Sequence, residues 1–207
     1  AGCDWRTLHK VHVHTALQLM AKNALTDAMT ENALALKFAM AAKDTLNAII
    51  TLEQRSNIYL NQGQDAKAFD IRSKLYGMYK NHGYDKEAAI SVWPLVSMLA
   101  KRGNLAAAKR CIGIFEKESG LVDSNGNIEK GREAYYVDKG IYMFKLNKID
   151  SAEYYFRKCL GNTNSHFNCK DSYEGLEDVY KKRHIPDSVA KYSDLARITT
   201  DLMYAEM

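Results

Sequence analysis

Residues 101–115, KRGNLAAAKRCIGIF, decide the fold. Gly103 and Asn104 are typical of a helix end, because glycine and asparagine tolerate the left-handed backbone that ends helices. Ala108 lies five residues beyond Gly103, where a small side chain lets two helices cross closely. The stretch therefore predicts the end of one helix, a tight turn and the start of a second helix.

The same arrangement recurs along the chain. The turns begin at Asn23, Gly63, Gly103 and Asn147. An alanine follows each turn, at Ala28, Ala68, Ala108 and Ala152, with intervals of 40, 40 and 44 residues. A large residue lies four positions before each turn, at Leu19, Tyr59, Leu99 and Met143. A period of this length is typical of stacked helical repeats.

The composition favours helices and disfavours nucleic acid as a partner. Of the 207 residues, 46% are apolar and only two are prolines, Pro94 and Pro186. Helix breakers are therefore scarce, and no alternating β-branched runs indicate a sheet. The net charge is +4, with both signs interspersed. No basic face is dense enough to follow a phosphate backbone.

Two segments carry the repeat pattern most clearly. Their periodic positions are Leu95, Val96, Leu99, Gly103, Leu105, Ala108, Ile112 and Phe115, and then Tyr136, Gly140, Met143, Asn147, Ile149, Ala152, Phe156 and Cys159. This pattern resembles the tetratricopeptide repeat, a helix-turn-helix unit. The resemblance implies an all-α fold, an α-α superhelix of about five helix pairs in a right-handed solenoid. The usual period is about 34 residues, so the longer period here predicts longer helices or connections.

We expect one domain over residues 1–207, with repeats near 5–43, 45–82, 86–119, 129–161 and 168–206. The predicted helices cover 5–22, 25–43, 45–62, 64–82, 86–102, 105–119, 129–146, 149–161, 168–183 and 186–206. Pro94 should kink the fifth helix, because proline removes a backbone donor. Residues 120–130, GLVDSNGNIEK, form a turn-rich connection that accounts for the longest interval.

The motifs argue against catalysis, a cofactor and a metal. No nucleophile elbow, phosphate-binding loop, dinucleotide fingerprint or zinc-protease helix occurs. Residues 123–127 faintly suggest a calcium loop, but Ile128 and Ala134 stand where glycine and glutamate are required. His9 and His12 share a helix face near His14, yet no further ligand completes a site. We predict that the protein is not an enzyme.

The four cysteines are Cys3, Cys111, Cys159 and Cys169, and their spacing matches no zinc motif. Cys111 and Cys159 fall at helix-packing positions, where a free cysteine acts as a small apolar residue. A Cys159–Cys169 disulfide in an oxidising compartment stays open as an alternative.

The predicted binding surface is the concave face, which the first helix of each pair lines in a stacked array. Residues one helical turn outward from the packing positions are Glu53, Asn57, Asn61, Trp93, Ser97, Lys101, Lys145 and Asp178. Trp93 is either an anchor for a partner or a residue packed under a neighbouring helix. Some family members hold peptide C-termini in a clamp of lysine and asparagine, but the positions here do not reproduce it.

Residues 150–158 and 186–193 carry a finer similarity, to the repeats of bacterial membrane-tethered sensor proteins. This similarity implies a domain on the periplasmic side of the inner membrane, with a membrane helix outside this chain, and a protein or peptide partner. Leu195, Ile198, Leu202 and Met203 keep helical spacing to the end, which suggests a cut edge. The alternatives are a cytoplasmic location, a self-associating scaffold, including a homodimer, and an enzyme with an unfamiliar site.

Overall fold

The computed structural model describes residues 4–205, and helices dominate this range. The helices are α1 (Trp5–Ala21), α2 (Leu25–Ala41), α3 (Thr45–Asn61), α4 (Asp65–Lys80), α5 (Asp85–Ser91), α6 (Leu95–Lys101), α7 (Leu105–Glu118), α8 (Ala134–Lys145), α9 (Ile149–Leu160), α10 (His166–Lys182) and α11 (Pro186–Ala205). Extended pairing within this range is limited to an isolated bridge between Val122 and Ile128. The prediction of an all-α fold is confirmed.

The helix ends have the backbone that the turn residues predict. Asn23, Gly63, Gly103 and Asn147 all have positive φ, between 56° and 78°. The residue after each turn position donates its N–H back to the large residue at the helix end, as Asn104 does to the Leu99 carbonyl at 2.9 Å. These bonds satisfy carbonyls that a helix end otherwise leaves without a donor. Ala28, Ala68, Ala108 and Ala152 are each 0% exposed, as close helix crossing requires.

The chain divides into two compact units, Ala1–Ser91 and Val92–Met207. In the first unit each helix from α1 to α4 packs on the next one along the chain, up to α5. In the second unit α6 packs on α7 and α8, α8 packs on α9 and α10, and α10 packs on α11. Helix α8 thus contacts both α6 and α10, so the first helices of successive pairs lie side by side there. The prediction of a single domain stays a prediction.

Two of the predicted helices differ from the observed ones in where they begin or end. The predicted helix over 86–102 is wrong, because the chain forms α5 and α6 with a turn at 92–94 between them. Pro94 cannot donate a backbone hydrogen bond, so it ends one helix and precedes the other. The predicted helix over 129–146 begins only at Ala134. Residues 129–133 are not helical, and the Glu133 carboxylate accepts the Gly131 N–H there at 2.8 Å.

No helix within residues 4–205 is both long and apolar enough to span a bilayer. The predicted end of the last helix at residue 206 lies outside the described residues, as does Cys3.

Candidate partner-binding pocket

The second unit contains an open pocket of about 240 Å³ between its helices. We call it the α6–α8–α10 pocket, after the three helices that form its walls. It is lined by Lys101, Ile141, Phe144, Lys145, Phe156, Asp171, Glu174, Gly175 and Asp178.

Helical spacing explains why charged residues gather in the pocket. Lys101 and Lys145 lie in the last turns of α6 and α8. A cation there is stabilised by the partial negative charge at a helix C-terminus. Asp171, Glu174 and Asp178 follow one another at three- and four-residue intervals on α10. This spacing directs all three carboxylates to one face of the helix.

Phe156 of α9 lies beneath the pocket, and this residue is 1% exposed. The ring lies against Gly140 of α8 and Gly175 of α10, where a side chain would collide with it. Ile141 and Phe144 are partly buried and add apolar surface to the pocket wall. The apolar floor that a partner can reach is therefore the surface of Ile141 and Phe144, above the buried Phe156 ring.

The carboxylates of the pocket already have cationic partners on their own helix. Lys170 Nζ lies 2.9 Å from Glu174 Oε1 and 3.6 Å from Asp171 Oδ1. Asp178 Oδ1 lies 3.7 Å from Lys181 Nζ. By contrast, no carboxylate in the described part of the chain lies within 4.0 Å of the Lys101 or Lys145 ammonium. Within residues 4–205, the two lysines are thus the charges of the pocket that form no ion pair.

Asp171 differs from the other two carboxylates because it is more deeply placed. Burial raises the pKa of Asp171 above its ordinary value, and the ammonium of Lys170 opposes this change. The negative charge of Glu174 raises the pKa further, whereas Lys101 lowers it slightly. Lys101 therefore acts on Asp171 across the pocket without forming a direct ion pair.

Three of the residues selected from sequence meet in this pocket, namely Lys101, Lys145 and Asp178. Three others, Glu53, Asn57 and Asn61, lie on α3 in the first unit.

Two of the α3 residues have partners within their own unit. Glu53 accepts a hydrogen bond from the Tyr79 hydroxyl at 3.2 Å. Asn57 accepts one from the Arg72 guanidinium. Asn61 is exposed at the end of the helix. Two of these side chains therefore serve contacts inside the first unit.

The remaining two predicted residues lie apart from the pocket lining. Trp93 is partly buried and stacks on Phe115, with ring centroids 5.8 Å apart. Its other surroundings belong to a separate polar depression near Lys130, Arg132 and Asn168. Ser97 is partly buried on α6. The packing alternative for Trp93 is thus the one that its contacts favour.

Sequence reasoning missed most of the apolar lining and two carboxylates of the pocket. The missed residues are Ile141, Phe144, Phe156, Asp171, Glu174 and Gly175. The spacing of Asp171, Glu174 and Asp178 along one helix face was a usable signal. The sequence does not show that this face of α10 lies near the two lysines, because that depends on the contacts of α8 with both α6 and α10.

The other residues considered for chemistry have structural partners. His9 Nε2 lies 3.1 Å from the buried Thr51 hydroxyl, and His12 Nδ1 lies 2.6 Å from Glu31. The Asp123 carboxylate accepts the N–H groups of Asn125 and Asn127, at 2.9 and 2.7 Å, and so holds its own turn. No group of metal-ligating side chains occurs among residues 4–205.

The thiols of Cys111, Cys159 and Cys169 are free. Burial raises the pKa of each thiol, so all three are less easily ionised than an exposed cysteine. Cys159 is fully buried, in keeping with a packing role.

Comparison with known proteins supports the helical fold. The chain is similar to the crystal structure of BtubC (BKLC) from P. vanneervenii, with a TM-score of 0.58 and 14% identity, over 91% of this chain and 78% of that one. BtubC is a helical-repeat protein. At this identity the likeness shows the fold alone. No protein-family model matches the sequence. No curated protein matches it either.

Proposed function

We propose that the chain is a non-catalytic interaction domain that binds a protein or peptide partner in the α6–α8–α10 pocket. One observation carries this proposal. Lys101 and Lys145, which have no ion-pair partner among residues 4–205, lie beside apolar side chains in an open pocket between neighbouring helices. Partner-binding surfaces typically combine an apolar centre with a polar, solvent-accessible rim.

We further propose that the helix pairs are tetratricopeptide-type repeats. The fully buried alanines after each turn support this assignment. So do the positive-φ helix ends and the contacts of α8 with α6 and α10. In an array of this type the first helices line a continuous groove, and the pocket lies among three such helices.

The similarity of residues 150–158 and 186–193 to sensor repeats extends the proposal to signalling. In this account the domain lies on the periplasmic side of a bacterial membrane and is tethered by a segment outside this chain. Binding of the partner would then be the signal that the longer protein transmits.

Selection of peptides from a displayed random library tests the proposal. The wild-type chain is compared with Lys101→Glu/Lys145→Glu, and with Lys109→Glu/Lys117→Glu as the control. The control residues are exposed lysines of α7 in the same unit and change the net charge equally. We expect the wild type and the control to enrich the same peptides and the pocket variant to lose them. Identical enrichment by all three proteins would contradict the proposal.

A self-associating scaffold is the second candidate, because α11 carries an exposed apolar stripe. Ile198 and Leu202 are 46% and 47% exposed and lie one turn apart. Exposed apolar patches of this kind often mark association surfaces. Sedimentation of the wild type and of Ile198→Glu/Leu202→Glu separates the two functions. An oligomer that the double variant disrupts would favour the scaffold.

A further inference from the structure

The order of the helices gives the pocket two walls of opposite sign. Helix α8 lies between α6 and α10, because it contacts both. Lys101 stands on the α6 side, and the carboxylates of Asp171, Glu174 and Asp178 stand on the α10 side. Between them α8 contributes Ile141 and Phe144, together with Lys145 at its end. From α6 to α10 the pocket thus changes from cationic, at Lys101 and Lys145, to anionic, and Ile141 and Phe144 of α8 add apolar surface between the α6 and α10 sides.

From this arrangement we infer that the partner segment carries an apolar side chain flanked by an acidic residue on one side and a basic residue on the other. The inference rests on the proposed function and deepens it, because it specifies the chemistry of the partner. The acidic residue would lie against Lys101 and Lys145, the apolar one against the floor, and the basic one against α10. Charge complementarity of this kind selects partners and fixes their direction.

The two charged walls should contribute unequally to the affinity for the partner. Lys101 and Lys145 gain an ion-pair partner that they lack within the described residues. The carboxylates of α10 instead exchange an existing partner for a new one. Two of those pairs are well exposed: the side chains of Glu174 and Asp178 are 52% and 59% exposed. Exposed pairs are weak and easily replaced. The acidic residue of the partner should therefore matter more than the basic one.

Capped synthetic peptides test the inference without a known partner. The probes are GSDSLSKSG and its reversed-charge form GSKSLSDSG, with GSDSLSDSG, GSKSLSKSG and GSDSGSKSG as comparisons. Acetylated and amidated ends remove the terminal charges, so a terminal carboxylate cannot account for binding. Dissociation constants are taken from amide shifts of Gly175 and Lys145 in ¹H–¹⁵N spectra of the isotope-labelled chain.

We expect one of the two mixed-charge peptides to bind best. Replacing its lysine by aspartate should weaken binding about two-fold, and replacing its aspartate by lysine about five-fold, as for exposed charge pairs. The net charge of the chain is +4, so unspecific attraction would instead favour the doubly acidic peptide. Loss of the leucine should also abolish the shifts.

A charge-swapped pocket gives the matched control. In Lys101→Glu/Lys145→Glu the preference should move to the doubly basic peptide. Equal binding of mixed and like-charged peptides, shifts confined to residues outside the pocket, or no binding of any probe would overturn the inference. The proposed function is judged separately by library selection, which places no condition on charge order. The selected peptides could require Lys101 and Lys145 but show no preferred order of charges. That result would support the proposed function and contradict only this inference.

Discussion

Gly140 lies so close to Phe156 that the aromatic ring takes the space of a side chain. An ideal Cβ at Gly140 would stand 2.6 Å from Cε1 of Phe156. Gly175 approaches the same ring from α10, even more closely. Phe156 therefore holds α8, α9 and α10 at a fixed separation, and this separation shapes the floor of the binding pocket.

Substituting alanine at either glycine should destabilise the second unit. The new methyl group would force the Phe156 ring to move, and overpacking of this kind costs about 1–3 kcal/mol. The control is Gly113→Ala on α7, where an added Cβ would meet no atom within 4 Å apart from the local helix backbone. That change should stabilise the chain by up to about 1 kcal/mol, because alanine favours helices over glycine. Urea unfolding measures all three variants. A stability of Gly140→Ala equal to that of Gly113→Ala would contradict this packing.

Acid should weaken the contacts around Glu153. Burial raises its pKa, but hydrogen bonds from Tyr180, Arg157 and Arg183 outweigh it, lowering the pKa from 4.5 to about 2. The charged form stabilises the fold above a pH of about 4.5, and this contribution is lost as the pH falls through 2. Because Arg157 is half exposed, we expect a loss of only about 1–2 kcal/mol.

The Glu153 effect is measured as the pH dependence of urea unfolding. Glu153→Gln should be less stable at neutral pH and should lose less stability on acidification than the wild type. Asp70→Asn serves as the control, because its ion pair with Lys74 is exposed. If the free energy of unfolding of Glu153→Gln falls with acid as steeply as that of the wild type, other carboxylates cause the loss of stability.

Removing Glu116 should cost more than removing it together with its partner. Glu116 Oε1 accepts hydrogen bonds from the Tyr135 hydroxyl at 2.5 Å and from Lys139 Nζ at 2.6 Å. The Lys139 side chain is only 14% exposed. Glu116→Ala would leave both donors without this acceptor, at a cost of about 1–3 kcal/mol. The double variant Glu116→Leu/Lys139→Met should recover much of that loss in thermal unfolding. If the losses of stability in Glu116→Leu and Lys139→Met, measured singly, add up to the loss in the double variant, the two residues are not coupled.

Trp93→Ala should change stability and leave partner binding intact. Its stacking on Phe115 packs the start of the second unit, so truncation should cost about 1–3 kcal/mol. Trp93→Phe should retain most of this stability. Peptides selected on the wild type should bind the folded Trp93→Ala variant with less than about a two-fold change, because Trp93 lies outside the pocket lining. If the folded Trp93→Ala variant binds the selected peptides much more weakly than the wild type, Trp93 is an anchor for the partner.

The sequence predicts the helix pairs well because their signals are local. A residue such as Gly103 ends a helix through its own backbone preference, and Ala108 marks a close crossing by its size. Pro94 separates α5 from α6 instead of kinking one helix, because proline permits either outcome and the surrounding packing decides between them. The start of α8 differs from the prediction because Gly131, with a φ of 88°, lies in the turn before the helix.

The candidate site could be predicted only in part. Lys101, Lys145 and Asp178 were found from their helical positions alone. The lining by Phe144 and Phe156 depends on how three helices pack, and periodicity does not contain that information. Asn57 stays a prediction; its side-chain carbonyl accepts a hydrogen bond from the Arg72 guanidinium, a contact that periodicity does not contain.

The most direct test of the central claim is an amide-shift map with a peptide selected on the wild-type chain. Addition of the peptide should shift the amides around Lys101, Lys145 and Gly175, at the ends of α6 and α8 and along α10. The same peptide should leave the spectrum of Lys101→Glu/Lys145→Glu unchanged. Shifts confined to α11, or to the helices of the first unit, would contradict the assignment of the α6–α8–α10 pocket as the binding site.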